Sequence, residues 1–175
     1  MSSVHTEYFQ LFALPEKFDI DTKLLETNFR KIQSASHPDR FVSATAAEKL
    51  ASMQLATLSN EAFDTLKNAA SRAKYLLERQ GINAVADTNT ALPLDFLMQQ
   101  MEWREQLEDA KAAKDIETLD KLYRELRVES KTLEAELITL FDDDKDYTAA
   151  TEVTRKLIFI DKVCSDIQQA IEYLD

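Results

Sequence analysis

The sequence RKIQSASHPDRFVSATAAE, residues 30–48, lies between two amphipathic segments and decides how the first half of the chain folds. Pro38 disfavours helical geometry at the residue before it, so the preceding helix should stop just ahead of it. Thr45-Ala-Ala-Glu48 matches a capping box, so a new helix should begin there. We therefore predict an antiparallel pair of helices, residues 22–36 and 45–79, joined by a loop that contains His-Pro-Asp.

Apolar residues recur on one side of each predicted helix. Those of the first helix are Leu25, Phe29 and Ile32, and those of the second are Leu55, Leu58, Ala62, Leu66 and Ala73. Asp21 is a suitable N-cap for the first helix, because its short acidic side chain can accept hydrogen bonds from the first turn. A further short helix is predicted ahead of the pair, from Tyr8 to Leu14, and Pro15 should end it.

The scarcity of turn residues predicts an almost entirely helical protein. Gly81 is the only glycine and the chain has only 3 prolines, whereas sheets and hairpins need turn residues at many more places. Helical periodicity lapses between Gly81 and Pro93. We therefore predict an all-α fold with a first domain at 1–80, a linker at 81–93 and a second domain at 94–175.

The second domain contains three predicted helices, residues 94–113, 116–142 and 146–174, whose apolar residues recur near heptad spacing. The middle helix carries Leu119, Leu122, Leu126, Leu133, Leu137 and Leu140, and the last carries Val153, Leu157, Ile160, Cys164, Ile167, Ile171 and Leu174. Short connections between the segments favour an antiparallel three-helix bundle.

The charge of the chain is unevenly distributed. Residues 1–80 hold 10 basic and 10 acidic side chains, so the net charge of −11 belongs entirely to residues 81–175. Such an acidic surface repels phosphate groups, and we therefore expect neither nucleic acid nor membrane partners. No leader or membrane-spanning run is recognisable, which favours a cytoplasmic location. Cys164 is the only cysteine, so we expect a core residue and no disulfide.

His37 and Asp39 are the residues of the first domain that could carry chemistry. A neighbouring His and Asp could form a general base with its orienting partner, or supply two metal ligands. The sequence offers no third ligand, no nucleophile in a recognisable setting and no glycine-rich loop for phosphate. We therefore predict that the chain is not an enzyme and needs neither a metal nor another cofactor.

The setting of the tripeptide resembles the J-domain, from Tyr8-Phe9 through the helical pair to Tyr75-Leu76-Leu77. This resemblance implies that His37, Pro38 and Asp39 engage a DnaK-type chaperone and promote ATP hydrolysis by that chaperone. Nearby positive charges would aid the encounter with an acidic face of that partner. These charges are Arg30, Lys31 and Arg40, and the alternative interpretation is a solvated basic helix face.

The helix predicted at 94–113 is apolar on two sides. At about 100° per residue, one face holds Phe96, Trp103, Leu107 and Ala110, and the opposite side holds Leu94, Leu97, Met98 and Met101. We assign the aromatic face to the core, because a helix at the edge of a bundle can bury only one side. The methionine-containing stripe is then left for a partner or for docking of the first domain.

The second domain resembles the C-terminal domain of the HscB family, with Phe96–Glu105 and Thr154–Lys162 as the matching stretches. In that family the scaffold protein IscU docks on this module. The resemblance implies that the scaffold-binding residues here are Leu97, Met98, Met101, Glu102, Arg104, Glu105 and Phe159. It also implies an HscA-type chaperone as the second partner and a role in iron–sulfur cluster assembly.

Two departures from the family pattern affect the expected details. Many J-domains have proline where this chain has Ala69, so we expect the third helix to run on without a break. The paired-cysteine zinc module of eukaryotic relatives is absent, which favours a bacterial form without metal. We predict a monomeric adaptor that holds scaffold and chaperone together. The alternatives are a J-domain protein with an unrelated client, or a structural helical protein.

Overall fold

A computed structural model describes residues 7–86 and 92–175, and these residues form seven α-helices and no strand. The helices are α1 Tyr8–Leu11, α2 Thr22–Ala35, α3 Ala46–Lys67, α4 Ala69–Arg79, α5 Leu94–Ala112, α6 Ile116–Ile138 and α7 Tyr147–Leu174. The predicted all-α class is confirmed. Two compact units divide between Tyr75 and Leu76.

The predicted domain boundaries at 1–80, 81–93 and 94–175 stay a prediction, and residues 87–91 of the linker lie outside the described residues. Gly81 follows the end of α4 with φ +76°, a conformation that favours glycine. Ile82 donates its backbone N–H to the carbonyl of Leu77 at 2.9 Å, which closes the helix end in the manner of a C-cap motif.

The first helix of the pair begins and ends where local sequence predicted, and the second begins where predicted. The Asp21 side chain accepts hydrogen bonds from the first-turn N–H groups of α2, and Ser36 caps the other end. Thr45 and Glu48 form the predicted capping box of α3, with both bonds at 3.1 Å. The first helix is shorter than predicted: α1 ends at Leu11 and the chain turns back through Ala13, whose φ is +54°.

The core of the first unit forms where α2 packs against α3. Phe9, Phe12 and Phe18 are each at most 1% exposed. Phe29 of α2 stacks on Phe63 of α3 with ring centroids 4.1 Å apart. On the predicted apolar face of the long helix, Ala62, Leu66 and Ala73 are buried, while Leu55 and Leu58 are half-buried.

The expectation that the third helix runs through Ala69 is wrong, because the chain breaks at Asn68. This residue adopts extended geometry, with φ −100° and ψ +130°. Its side-chain oxygen accepts the backbone N–H of Ser71 at 3.0 Å, as an N-cap does for a new helix. The Ser71 hydroxyl donates to the carbonyl of Thr65, and the Arg72 guanidinium donates to that of Leu66. Two of the carbonyls ahead of the break, those of Thr65 and Leu66, therefore accept hydrogen bonds from side chains.

The second unit is the predicted three-helix bundle, in which α5, α6 and α7 pack against one another. The predicted apolar residues of α6 up to Leu137 are buried, and those of α7 are buried as far as Ile167, including Cys164. The predicted helix 116–142 changes character after Ile138, where a π-helical turn spans Thr139–Asp143. This turn buries Phe141 and leaves Leu140 half-buried.

Candidate functional site

The His-Pro-Asp turn is a short 3₁₀ helix, Pro38–Phe41, at the end of the α2/α3 pair. His37 is its N-cap, and the Nδ1 atom of His37 accepts the backbone N–H of Asp39 at 3.2 Å. The side chains of His37 and Asp39 are 59% and 90% exposed, so the turn presents them to solvent.

The predicted basic residues lie at the same end of the pair. Arg30 and Lys31 are exposed in the second half of α2, and Arg40 is exposed within the 3₁₀ turn itself. Arg30 makes an ion pair with Glu26 one turn earlier, which reduces the charge it offers to a partner.

The predicted division of α5 into two faces is confirmed. Phe96 and Trp103 are at most 9% exposed and Leu107 is 1% exposed, all within the bundle core. On the opposite side, the exposed fractions are 72% for Leu94, 39% for Leu97, 63% for Met98 and 73% for Met101. We call these four residues the outer stripe. Glu102 and Glu105 are exposed beside it and give it an acidic flank.

Phe159 of α7 is half-buried and contacts two residues of α5. Its ring lies edge-on to that of Phe96, with centroids 6.3 Å apart. The guanidinium carbon of Arg104 lies 5.5 Å from the centroid of the Phe159 ring. Arg104 also donates to Asp166 at 2.7 Å. Sequence reasoning missed Asp166, although a residue two helical turns beyond Phe159 falls on the same side of α7.

Cys164 is buried in the second unit. Burial raises the pKa of the Cys164 thiol to about 11, which suppresses its reactive thiolate. Residues 7–86 and 92–175 contain no group of three or more His, Cys, Asp or Glu side chains placed to hold a metal ion. No helix within these ranges has the length and apolar character needed to cross a membrane.

The described residues thus form a helical pair that exposes His-Pro-Asp at its turn and a helical bundle that exposes an apolar stripe. Residues 92–168 match the family described as the HSCB C-terminal oligomerisation domain. The chain is 46% identical to the co-chaperone protein HscB homolog of Paraburkholderia phymatum, a match that covers 100% of this chain and 99% of that one. The chain belongs to the HscB family of co-chaperones.

Solved structures share this fold. Chaperone HscB from Vibrio cholerae is 34% identical with a TM-score of 0.81, and the match covers 97% of this chain and 100% of that one. The human co-chaperone protein HscB is 26% identical with a TM-score of 0.85, and the match covers 96% of this chain and 83% of that one. The relatives are co-chaperones, a class of protein that assists a chaperone and is not itself enzymatic.

Proposed function

We propose that this co-chaperone binds an IscU-type scaffold protein, delivers it to an HscA-type chaperone and stimulates ATP hydrolysis by that chaperone. In this way it would assist the assembly and transfer of iron–sulfur clusters in the cytoplasm. The observation that carries the proposal is the outer stripe of α5, which is apolar, exposed and opposite the face that builds the bundle core. It occurs in a chain that is similar to HscB relatives over its full length.

The chaperone would dock on the His-Pro-Asp turn. His37, Pro38 and Asp39 are exposed at the tip of the helical pair, where a partner can reach them without rearrangement. The hydrogen bond from the Asp39 N–H to the His37 ring holds the turn in one shape, so little conformational freedom is lost on binding. Lys31 and Arg40 would steer an acidic partner surface toward this turn.

The scaffold would dock on the outer stripe. Leu97, Met98 and Met101 offer apolar contact, and methionine side chains adapt readily to a partner surface. Phe159 of α7, which contacts Phe96 and Arg104 of α5, would add an aromatic anchor, and aromatic residues dominate many protein interfaces. The rim consists of Glu102, Arg104 and Glu105.

Holding both partners on one chain raises the effective concentration of the scaffold near the chaperone. No bond need be made or broken by the co-chaperone, because the ATP hydrolysis belongs to the chaperone. One co-chaperone molecule would suffice for this role, so the proposal includes a monomer.

ATP hydrolysis by an HscA-type chaperone, measured with and without IscU-type scaffold, tests the proposal. The wild-type chain should stimulate hydrolysis, and His37→Gln should abolish stimulation at every concentration. A triple variant, Leu97→Ala/Met98→Ala/Phe159→Ala, should lose only the scaffold-dependent part. Stimulation without any scaffold dependence in the wild type would favour a J-domain co-chaperone with an unrelated client. No stimulation at all would refute the proposal.

A further inference from the structure

Asp166 forms an ion pair with Arg104, one of the residues proposed to bind the scaffold. The two side chains form an ion pair between α7 and α5 with an N–O distance of 2.7 Å, and each side chain is 35% exposed. The carboxylate therefore holds one end of a long and otherwise flexible side chain in place.

The guanidinium that Asp166 holds lies over a second residue of α7. Arg104 is 5.5 Å from the centroid of the Phe159 ring, within the range of a cation–π contact. Phe96 contacts Phe159 edge-on from the core. Phe159 is thus contacted by a cation and by an aromatic ring, and Asp166 fixes the position of the cation.

This arrangement restricts the Phe159 ring before any partner arrives. An anchor residue that already has its bound orientation loses less conformational freedom on binding, so affinity rises without a new contact. The Arg104 charge is largely neutralised by Asp166, so Arg104 acts more through the ring it covers than as a rim charge.

We propose that Asp166 is a positioning residue for scaffold docking, and that it orients Phe159 by holding Arg104 over the ring. The inference rests on the proposed function, because it assumes that Phe159 meets the scaffold. Asp166 itself need not touch the scaffold.

Scaffold affinity measured by titration calorimetry tests this role through a double-mutant cycle. Asp166→Ala should weaken binding of IscU-type scaffold by about threefold to tenfold, the range expected when one member of a coupled contact is removed. In a Phe159→Ala background the same change should have almost no effect. Asp166→Glu should restore most of the affinity, since it keeps a carboxylate for Arg104. Glu172→Gln, an exposed change of charge on the same helix, serves as the control and should leave affinity unchanged.

A merely structural effect of Asp166→Ala would persist in the Phe159→Ala background, and that result would overturn the inference. An unchanged affinity in Asp166→Ala would overturn it as well. If the wild-type chain bound no scaffold, the proposed function would fail and this inference with it. Aromatic NMR signals of Phe159 in the free protein give a readout that needs no scaffold. Asp166→Ala should shift them and Glu172→Gln should not, whereas unshifted signals would refute the positioning role.

Discussion

Replacing Met98 by alanine should weaken scaffold binding and leave folding almost unchanged. Met98 is 63% exposed in the free protein. Full burial of a methionine side chain is worth about 1.5–3 kcal/mol, so burying the exposed part in a complex is worth about 1–2 kcal/mol. The expected loss of affinity is therefore about fivefold to thirtyfold. Because only about a third of the side chain is buried on folding, the free energy of unfolding should change by no more than about 1 kcal/mol.

Leu126→Ala should have the opposite effects: a large loss of stability and an unchanged scaffold affinity. Leu126 of α6 is completely buried, so its truncation should cost about 2–5 kcal/mol of stability through lost contacts and a cavity. It lies on neither of the two helices that carry the proposed scaffold-binding residues, so the folded protein should bind scaffold normally. Urea unfolding measures stability, and titration calorimetry measures affinity.

The reasoning would be refuted by either of two results. If Met98→Ala destabilised the protein as much as Leu126→Ala, the outer stripe would belong to the core and not to a docking surface. If Met98→Ala left the scaffold affinity unchanged, the scaffold would bind elsewhere on the chain.

Three further predictions concern single residues of the two units. Asn68→Ala should lower the free energy of unfolding of the first unit by about 1 kcal/mol, because it removes the cap of α4. An unchanged thermal melt, followed by circular dichroism, would contradict this. The Thr154 hydroxyl is buried and has no hydrogen-bond partner among the described residues. Thr154→Val should therefore raise the free energy of unfolding by about 1 kcal/mol, which would appear as a higher unfolding midpoint. The pKa of Cys164 is raised to about 11 by burial, so the thiol should resist a thiol-specific reagent at pH 8 in the native state and react once urea unfolds the bundle; rapid native reaction would count against its burial.

Helix boundaries set by adjacent residues could be predicted from the sequence. The Asp21 cap and the capping box of Thr45 and Glu48 each depend on side chains within three residues of the backbone they bond. The two faces of α5 were also predictable, since 3.6-residue periodicity fixes which side chains share a side. The partition of Phe96 and Met98 between core and surface followed from side-chain shape and the geometry of a three-helix bundle.

Features that depend on competition or on distant contacts were not predictable. Helical periodicity continues across Asn68, and only the bonds that Ser71 and Arg72 make to the preceding turn reveal that a break is favourable there. The π-helical turn after Ile138 likewise interrupts a regular leucine spacing, and Phe141 is buried within it. Asp166 lies 62 residues from Arg104 in the sequence, so their ion pair requires the packing of α5 against α7.

The outer stripe of α5 raises the question of why two copies of this chain would not simply pair through it. An exposed apolar surface favours self-association, because pairing would remove it from water. Glu102 and Glu105 flank the stripe, and the ion pair with Asp166 removes most of the positive charge that Arg104 could offer in exchange. Two copies packed stripe to stripe would bring like charges together, and such contacts cost several kcal/mol. A scaffold with basic groups around an apolar patch would meet no such repulsion, so the acidic flank would select that partner over a second copy.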